Sequence, residues 1–265
     1  MDLTISKNMD RALKDIYLSN SINGINKSTL NALVRKEMLT SEYELTNNGK
    51  AYAISKKPLK NQCLDLNIDY QEIIIDYIGK PEPVVLEYFK SQGYLGATCE
   101  GNSIFNVLKA FMLDAIIKNS IHTEENKLKY ACMTFLEAQL YNNDRKDELI
   151  NSINFTSKEQ FIKNFKMIIS NNFIQKTCPD LSLEFAILMF DAIDRDTYIK
   201  LATKIAEDSY LYRNGWPDLT LVKDNIVEFI EVKAKDKLHE SQLITIPVMK
   251  DILPFKFGVC RIKRK

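Results

Sequence analysis

The stretch that decides the fold is GWPDLTLVKDNIVEFIEVKAK, residues 215–235. Two parts of it, PDLTLVK and IVEFIEVK, have the apolar content of β-strands, yet Asp218, Glu231 and Lys233 lie inside them. Strand interiors usually exclude Asp, Glu and Lys. The position of these three charges therefore requires a physical reason.

The turn between the two strands sets their pairing. Asp224 and Asn225 tolerate the positive φ that a two-residue hairpin loop needs. If these two residues form the loop, Asp218 lies opposite Glu231, about 5 Å away at Cβ. Lys233 lies two residues further along the strand and shares that face. A bulge or a longer loop would shift this register.

Apolar residues occupy the rest of both faces, so we expect the hairpin to be covered on both sides. The charged face also carries Thr220, Val222, Val227 and Phe229, and the other face carries Leu219, Leu221, Ile226, Ile230 and Val232. Two opposed carboxylates in such a place repel each other unless one is protonated or a cation lies between them. Mg²⁺ or Mn²⁺ fits such oxygen ligands best. The alternative is an ordinary ion pair at a sheet edge.

The surrounding sequence predicts an α/β (α+β) fold, in which a small sheet is flanked by helices. After the hairpin, residues 238–250 have the pattern of a helix and residues 256–262 that of a third strand. The preceding residues are mostly helical in pattern. We expect a helical or winged-helix-like unit over 1–60, a linker over 61–83 and a main domain over 84–265 with a helical insertion at about 120–209. In the first unit, LTNNGKAY is similar to the end of a winged helix, and a small helical cap without a ligand is the alternative.

Composition narrows the functional classes. The 265 residues carry a formal net charge of +1, so the overall charge does not indicate binding to nucleic acid. Any basic surface that could bind nucleic acid must be a local patch. Five cysteines without a CxxC pair and two histidines argue against a disulfide framework and a structural zinc site. We find no signal peptide and no apolar run long enough to span a bilayer, so we expect an intracellular protein without a membrane partner.

Two blocks of the sequence resemble a known nuclease superfamily. Pro217-Asp218, followed after a short interval by Glu231-Val232-Lys233, resembles the PD-(D/E)xK motif, and Gln242 on the next helix makes it similar to the VRR-NUC branch. Residues 87–117 resemble the helix of the Fanconi-associated nucleases that carries an early catalytic Glu. Here that residue is Glu100. The resemblance implies a restriction-endonuclease-like core.

The resemblance also implies a role for each matching residue. Glu100, Asp218 and Glu231 are expected to bind Mg²⁺ or Mn²⁺, together with the backbone carbonyl of Val232. Lys233 is expected to orient the attacking water, and Gln242 to support the site. The reaction that the resemblance implies is metal-dependent hydrolysis of a DNA phosphodiester. The candidate DNA contacts are Lys235, Lys237 and Arg213.

The biological role implied is that of a structure-selective nuclease for flaps, junctions or branched DNA in repair or recombination. Three alternatives stay open: a dimeric Holliday-junction resolvase, a toxin or defence nuclease with a protein inhibitor, and a DNA-binding regulator with an inactive nuclease fold. One departure is the segment Ala234-Lys235-Asp236, which is one residue shorter than in the family. This shorter segment affects the position at which the following helix begins. Trp216 is expected to pack beneath the hairpin rather than to stack on a base.

Overall fold

A computed structural model describes residues 5–141 and 144–264 of the chain. The strands in these ranges are β1 (Asp69–Ile74), β2 (Leu95–Ala97), β3 (Leu219–Lys223), β4 (Ile226–Lys233) and β5 (Lys256–Lys263). They form one mixed sheet in the order β1-β5-β4-β3-β2. Strands β1, β5 and β4 are parallel to one another, whereas β3 is antiparallel to both β4 and β2. The predicted α/β class is confirmed.

Helices surround the sheet. Before β2 they are α1 (Lys7–Ser19), α2 (Lys27–Arg35), α3 (Asn47–Ser55), α4 (Leu59–Asp65) and α5 (Pro81–Lys90). Between β2 and β3 they are α6 (Asn102–Lys118), α7 (Glu124–Met133), α8 (Leu136–Leu140), α9 (Lys146–Phe155), α10 (Lys158–Ile169), α11 (Asn172–Thr177), α12 (Leu183–Ala192) and α13 (Arg195–Glu207). Helix α14 (Glu240–Ile252) connects β4 to β5. Among the helices within the described ranges, none combines the length and the apolar content that a membrane span requires.

The hairpin of β3 and β4 has the expected register. Leu219 pairs with Ile230 and Lys223 pairs with Ile226. The two-residue turn is formed by Asp224 and Asn225, with φ of 51° and 61°. These angles and this register confirm the prediction from the turn residues. Asp and Asn are among the few non-glycine residues that adopt this left-handed conformation readily, because their short polar side chains can form local hydrogen bonds.

The two faces of the hairpin are buried in two different cores, as predicted. On one face, Val222, Val227 and Phe229 join the large core formed with α6 and the following helices. On the other face, the hairpin packs beneath α5. That second core contains Val85, Leu86, Phe89, Leu219, Leu221, Ile230 and Val232. Only Ile226, beside the turn, departs from the expected burial, at 48% exposure.

The helical region is organised around α6, which is buried over most of its surface because it lies between the sheet and other helices. A lysine is among its buried residues: Lys109 is 1% exposed. Its ammonium donates a hydrogen bond to the carbonyl of Cys132 at 3.0 Å. Burial lowers the pKa of Lys109 to about 8.

The segment 61–83, expected to be a linker, contains regular structure. It includes most of α4, all of β1 and the first residues of α5, and β1 pairs with β5 over its whole length. Several side chains of the edge strand β1 are exposed, so its apolar and polar residues do not alternate clearly. The sequence pattern therefore did not predict this strand. Strand β2 has only 3 residues, too few for a recognisable strand pattern.

The N-terminal unit has its own small core and also packs on the main domain. Helices α1, α2 and α3 bury Leu13 and Leu33 among others, and a short bridge joins Leu39 to Leu45. A second cluster joins α3 and α4 to α14. Gln62 connects the same parts, because its Oε1 accepts a hydrogen bond from the backbone of Leu238 at 3.0 Å. The assignment of this unit as a winged helix stays a prediction.

Candidate active site

Asp218, Glu231 and Lys233 come together at one end of the sheet, where β3 begins and β4 ends. Asp218 Oδ2 accepts a hydrogen bond from the backbone N–H of Val232 at 2.8 Å. Glu231 Oε1 lies 2.8 Å from Lys233 Nζ. Glu231 is 1% exposed and Lys233 is 4% exposed. The hairpin therefore holds two carboxyl groups and one ammonium in a largely dry position.

Burial and mutual repulsion shape the charge of this cluster. Burial, followed by the negative charge of Glu231, raises the pKa of Asp218 well above its ordinary value. Burial alone would lower the pKa of Lys233, but Glu231 and Asp236 outweigh it and raise the pKa. Lys233 therefore stays an ammonium ion, while Asp218 has a strong tendency to hold a proton when no cation is present.

One oxygen of Glu231 marks a position that favours a cation. Glu231 Oε2 is buried and has no hydrogen-bond partner in the described part of the chain. Leaving a buried polar atom unpaired costs roughly 1–3 kcal/mol, and more for a charged group. Carboxylate oxygens are the ligands that Mg²⁺ and Mn²⁺ prefer. The donor set and the unpaired oxygen therefore fit a hard divalent ion.

Glu100 lies in the turn between β2 and α6. It has a φ of 49°, a left-handed conformation that a non-glycine residue adopts only under constraint. Gly101 makes the turn possible, because a Cβ there would lie 2.7 Å from Trp216 Cδ1. Glu100 is exposed to solvent. Partial burial, together with the charges of Glu231 and Glu82, raises the pKa of Glu100.

The carboxylates do not enclose an ion as they stand. Across residues 5–141 and 144–264, no group of three or more His, Cys, Asp or Glu side chains has the close arrangement of a metal site. The ammonium of Lys233 is bonded to Glu231, next to the unpaired oxygen.

The predicted supporting residue Gln242 acts on the start of α14. Its Oε1 accepts a hydrogen bond from the backbone N–H of His239 at 2.9 Å and so closes the first helical turn. Gly215 lies close to the same turn, because a Cβ there would be 2.2 Å from the carbonyl oxygen of Ser241. The start of α14 and the loop before Asp218 are therefore fitted to each other. For Val232, the structure shows the N–H bonded to Asp218, and the role of its carbonyl stays a prediction.

The three predicted DNA contacts differ in their surroundings. Lys235 is exposed. Lys237 Nζ lies 3.4 Å from the carbonyl oxygen of Lys56 in the N-terminal unit. Arg213 is directed toward the helical region, where its guanidinium lies 5.7 Å from the ring centre of Phe135. Binding of DNA by these residues stays a prediction.

Trp216 packs beneath the hairpin, as expected. It is 2% exposed, and its Nε1 donates a hydrogen bond to the carbonyl of Tyr212 at 2.8 Å. Its ring meets Phe105 edge to face, with centroids 5.3 Å apart. The indole is thus part of the core and supports the loop that leads to Asp218.

Glu82, in the first turn of α5, is a carboxylate that the sequence pattern did not indicate as part of the site. Its negative charge contributes to the raised pKa of both Glu100 and Asp218. Its Oε2 is buried and lacks a hydrogen-bond partner among the described residues. Glu82 lies in the segment 61–83 that was expected to be a linker, and its electrostatic influence on Glu100 and Asp218 depends on the tertiary fold.

The mixed sheet thus has Asp218 just before one strand and Glu231-Val232-Lys233 at the end of the neighbouring strand. The solved structures that share the fold of this chain include two of paFAN1, a Fanconi-associated nuclease, bound to 5′ flap DNA with a gap. For the 2-nt flap complex the TM-score is 0.56 at 15% identity, covering 98% of this chain and 52% of that one. For the 1-nt flap complex the TM-score is 0.58 at 14% identity, covering 97% of this chain and 49% of that one.

This similarity lies in the fold. The chain spans about half the length of the paFAN1 chain. No protein-family model and no curated protein sequence matches it. The predicted similarity to the nuclease domain of Fanconi-associated nucleases is confirmed by the fold over nearly the whole of this chain.

Proposed function

We propose that this chain is a metal-dependent DNA nuclease that hydrolyses phosphodiester bonds and prefers flapped, junction or otherwise branched DNA, with a role in DNA repair or recombination. The observation that carries the proposal is the cluster of Asp218, Glu231 and Lys233 at one end of the sheet. The same fold in paFAN1 accompanies bound 5′ flap DNA. The proposal extends that binding partner to this chain.

Glu100, Asp218, Glu231 and the carbonyl of Val232 are the groups proposed to hold Mg²⁺ or Mn²⁺. When bound, the ion supplies Lewis-acid stabilisation of phosphoryl oxygens and a lowered pKa for a bound water. The buried Oε2 of Glu231 supports this assignment, since residues 5–141 and 144–264 give it no hydrogen-bond donor while Asp218 is ionised.

The protein's own groups contribute orientation and charge. The N–H of Val232 fixes the direction of the Asp218 carboxylate. Lys233 is a buried ammonium with three donors, held beside Glu231. We propose that it orients a water or a phosphate oxygen and stabilises negative charge that develops there. A preorganised donor in a dry site is worth far more than the same donor in water.

The first test is a cleavage assay with labelled 5′ flap, four-way junction and linear duplex DNA, in Mn²⁺, Mg²⁺ or EDTA. We expect cleavage of the branched substrates that EDTA abolishes. Absence of cleavage with every DNA and both ions contradicts the proposal. Symmetric cutting of the junction favours the dimeric resolvase, cutting of all DNA alike favours a toxin or defence nuclease, and binding without cutting favours the inactive regulator.

The second test assigns the site. Glu231→Gln and Lys233→Met are each expected to lower the cleavage rate by about 10²–10³-fold, because each removes a charge that faces the reacting phosphate. Lys223→Met is a matched control on the same hairpin, since Lys223 lies at the turn end and donates to the carbonyl of Gln92 at 2.7 Å. Unchanged cleavage in the Glu231 or Lys233 variant would refute this site assignment.

A further inference from the structure

The end of β5 carries a run of basic residues that the proposed reaction does not use. The sequence from Arg261 to Lys265 is RIKRK, and the structure describes it as far as Arg264. The chain as a whole has a formal net charge of only +1, so a basic run of this density is a local feature. Lys263 and Arg264 are both exposed, so a partner can reach them.

Strand direction places this basic run at the same end of the sheet as the candidate active site. Strands β1, β5 and β4 are parallel, so their C-terminal ends lie at one edge of the sheet. Lys233, at the end of β4, pairs with Arg261, and β5 continues past this pair to Lys263. In open α/β sheets, ligands bind outside the carboxyl ends of the parallel strands. The basic run therefore lies where a bound substrate extends from the site.

Lys263 is close to Lys233 and on the same face of the sheet. Paired residues share a face, and so do residues two apart on one strand, so Lys233, Arg261 and Lys263 lie on one face. Neighbouring strands are about 4.8 Å apart and two residues span about 6.6 Å, so the Cα atoms of Lys233 and Lys263 are about 8 Å apart. One strand of DNA carries a negative charge for about every 3.4 Å of helix axis, so Lys263 is placed for a phosphate about two nucleotides from the one at Lys233.

Arg261 fixes the turn that follows β4. Its Nη1 donates a hydrogen bond to the carbonyl of Asp236, and its Nη2 donates one to the carbonyl of Lys235, each at 3.3 Å. One guanidinium thus holds two successive backbone carbonyls. Lys235 is exposed in this turn. Arg261 therefore holds the backbone of Lys235 beside the end of β5, where its charge adds to that of the basic run.

The present partners of Lys263 and Arg264 are compatible with phosphate binding. Lys263 Nζ lies 2.6 Å from Glu72 Oε2, and the two side chains are 51% and 41% exposed. Exposed ion pairs contribute little to stability, and an ammonium has three donors, so a phosphate can join or displace Glu72. The Arg264 guanidinium lies 4.7 Å from the ring centre of Tyr77. Stacking uses the face of a guanidinium, whereas phosphate binds to the N–H groups at its edge.

We propose that Lys263 and Arg264, together with Lys235, form a phosphate-binding surface at the end of β5 for the DNA backbone beside the cleavage site. This inference rests on the proposed function, because it concerns the DNA bound at the same site. Contacts to phosphate carry no sequence information, so the surface adds affinity that is independent of base sequence. It extends the bound DNA from Lys233 across β5 toward β1.

The test is DNA binding by fluorescence anisotropy at several salt concentrations. The probe is a fluorescein-labelled 5′ flap DNA, titrated with the full chain between about 50 and about 200 mM KCl. EDTA in the buffer removes divalent ions and so prevents cleavage during the titration. Each phosphate contact that is lost lowers the slope of log Kd against log salt by about 1. We expect the double variant Lys263→Gln/Arg264→Gln to bind more weakly at low salt, with the slope lowered by about 2.

Lys256→Gln is the matched control on the same strand. Lys256 begins β5, about 23 Å along the strand from Lys263. Its side chain is 58% exposed and lies 3.5 Å from Glu228, so it also forms an exposed ion pair with a glutamate. Removal of its charge is expected to leave the slope unchanged. A second variant, Lys263→Arg/Arg264→Lys, keeps both charges and is expected to keep the wild-type slope.

Three results overturn the inference. A wild-type slope in the double Gln variant shows that Lys263 and Arg264 contact no phosphate. A slope lowered by about 1 in Lys256→Gln shows that the net charge of the chain, rather than a local surface, determines binding. A lowered slope in the variant that keeps both charges shows that disturbance of the strand end is the cause.

The binding and cleavage assays fail independently. A salt slope that depends on Lys263 and Arg264, in a chain that cleaves no DNA, contradicts the proposed function and supports this inference. Cleavage of flap DNA, with an unchanged slope in the double Gln variant, contradicts only the inference. A wild-type chain that binds no DNA overturns the inference too.

Discussion

At the scale of single residues, Lys109 gives the stability of the chain a pH dependence that is separate from the active site. Its pKa is lowered to about 8 by burial, against 10.5 for an ordinary lysine. Between these two values the unfolded chain binds more protons than the folded chain. Stability therefore rises as pH increases through this window.

We predict that the free energy of unfolding of the wild-type chain, relative to that of Lys109→Met, rises by about 2 kcal/mol between about pH 7 and about pH 9.5. Urea unfolding of both proteins across this range measures the difference. The pH-independent cost of removing the side chain cancels, because the prediction concerns only the change of this difference with pH. Parallel pH profiles for the two proteins would show that Lys109 keeps an ordinary pKa.

The charged residues of the site divide into those that sequence indicates and those that only the fold reveals. Asp218, Glu231 and Lys233 belong to one hairpin, so a two-residue turn and the alternation of strand side chains place them together. Glu100 was expected from its resemblance to a family motif rather than from its spacing. Glu82 was missed, because no local pattern records that α5 and β2 run side by side.

At the scale of elements, the strands show why part of the sheet escaped prediction. Strands β3, β4 and β5 have continuous apolar patterns because both of their faces are covered. Strand β1 lies at the sheet edge with exposed side chains, and β2 has only 3 residues. Such elements are stabilised by pairing with neighbours far away in the sequence, so their own residues carry a weak signal.

The fit between α14 and the loop before β3 gives a prediction at this scale. Gly215 has a φ of 82°, and a Cβ there would lie 2.2 Å from the carbonyl oxygen of Ser241. Gly215→Ala is therefore expected to destabilise the protein by about 2 kcal/mol or more, since backbone must move. Gly24 has a φ of 78° with nothing within 4 Å.

Gly24→Ala is the control for that substitution. It carries the conformational penalty of a left-handed alanine, about 1 kcal/mol, without a clash. Chemical denaturation of both variants measures the two effects. Equal destabilisation would mean that the contact between the loop and α14 adjusts without strain.

At the scale of the whole molecule, the N-terminal unit and the sheet domain share a hydrophobic cluster. Ile54 at the end of α3 is buried in the cluster that also contains Leu243 and Ile244 of α14. This packing, together with the pairing of β1 with β5 in the sheet, favours unfolding of both parts in one cooperative transition. Two parts joined only by a flexible linker would unfold in separate transitions.

Trp216 allows this to be tested, because it is the only tryptophan of the 265 residues and lies in the core beneath the hairpin. Ile54→Ala is predicted to lower the free energy of unfolding, followed by Trp216 fluorescence, by about 2–4 kcal/mol. Ile22→Ala, at a position 37% exposed in the same unit, is expected to have a much smaller effect. A Trp216 transition that Ile54→Ala leaves unmoved would show that the two parts unfold separately.

The hairpin also determines which parts of the sequence can change in length. Insertion of one residue within β3 or β4 would turn every following side chain to the opposite face and separate Asp218 from Glu231. Helices α7 to α13 meet the site through packing rather than through strand register, so insertions in their connecting loops leave that pairing intact. Among proteins of this fold, we therefore expect the spacing from Asp218 to Lys233 to vary little in natural and engineered variants, and the distance from Glu100 to Asp218 to vary widely.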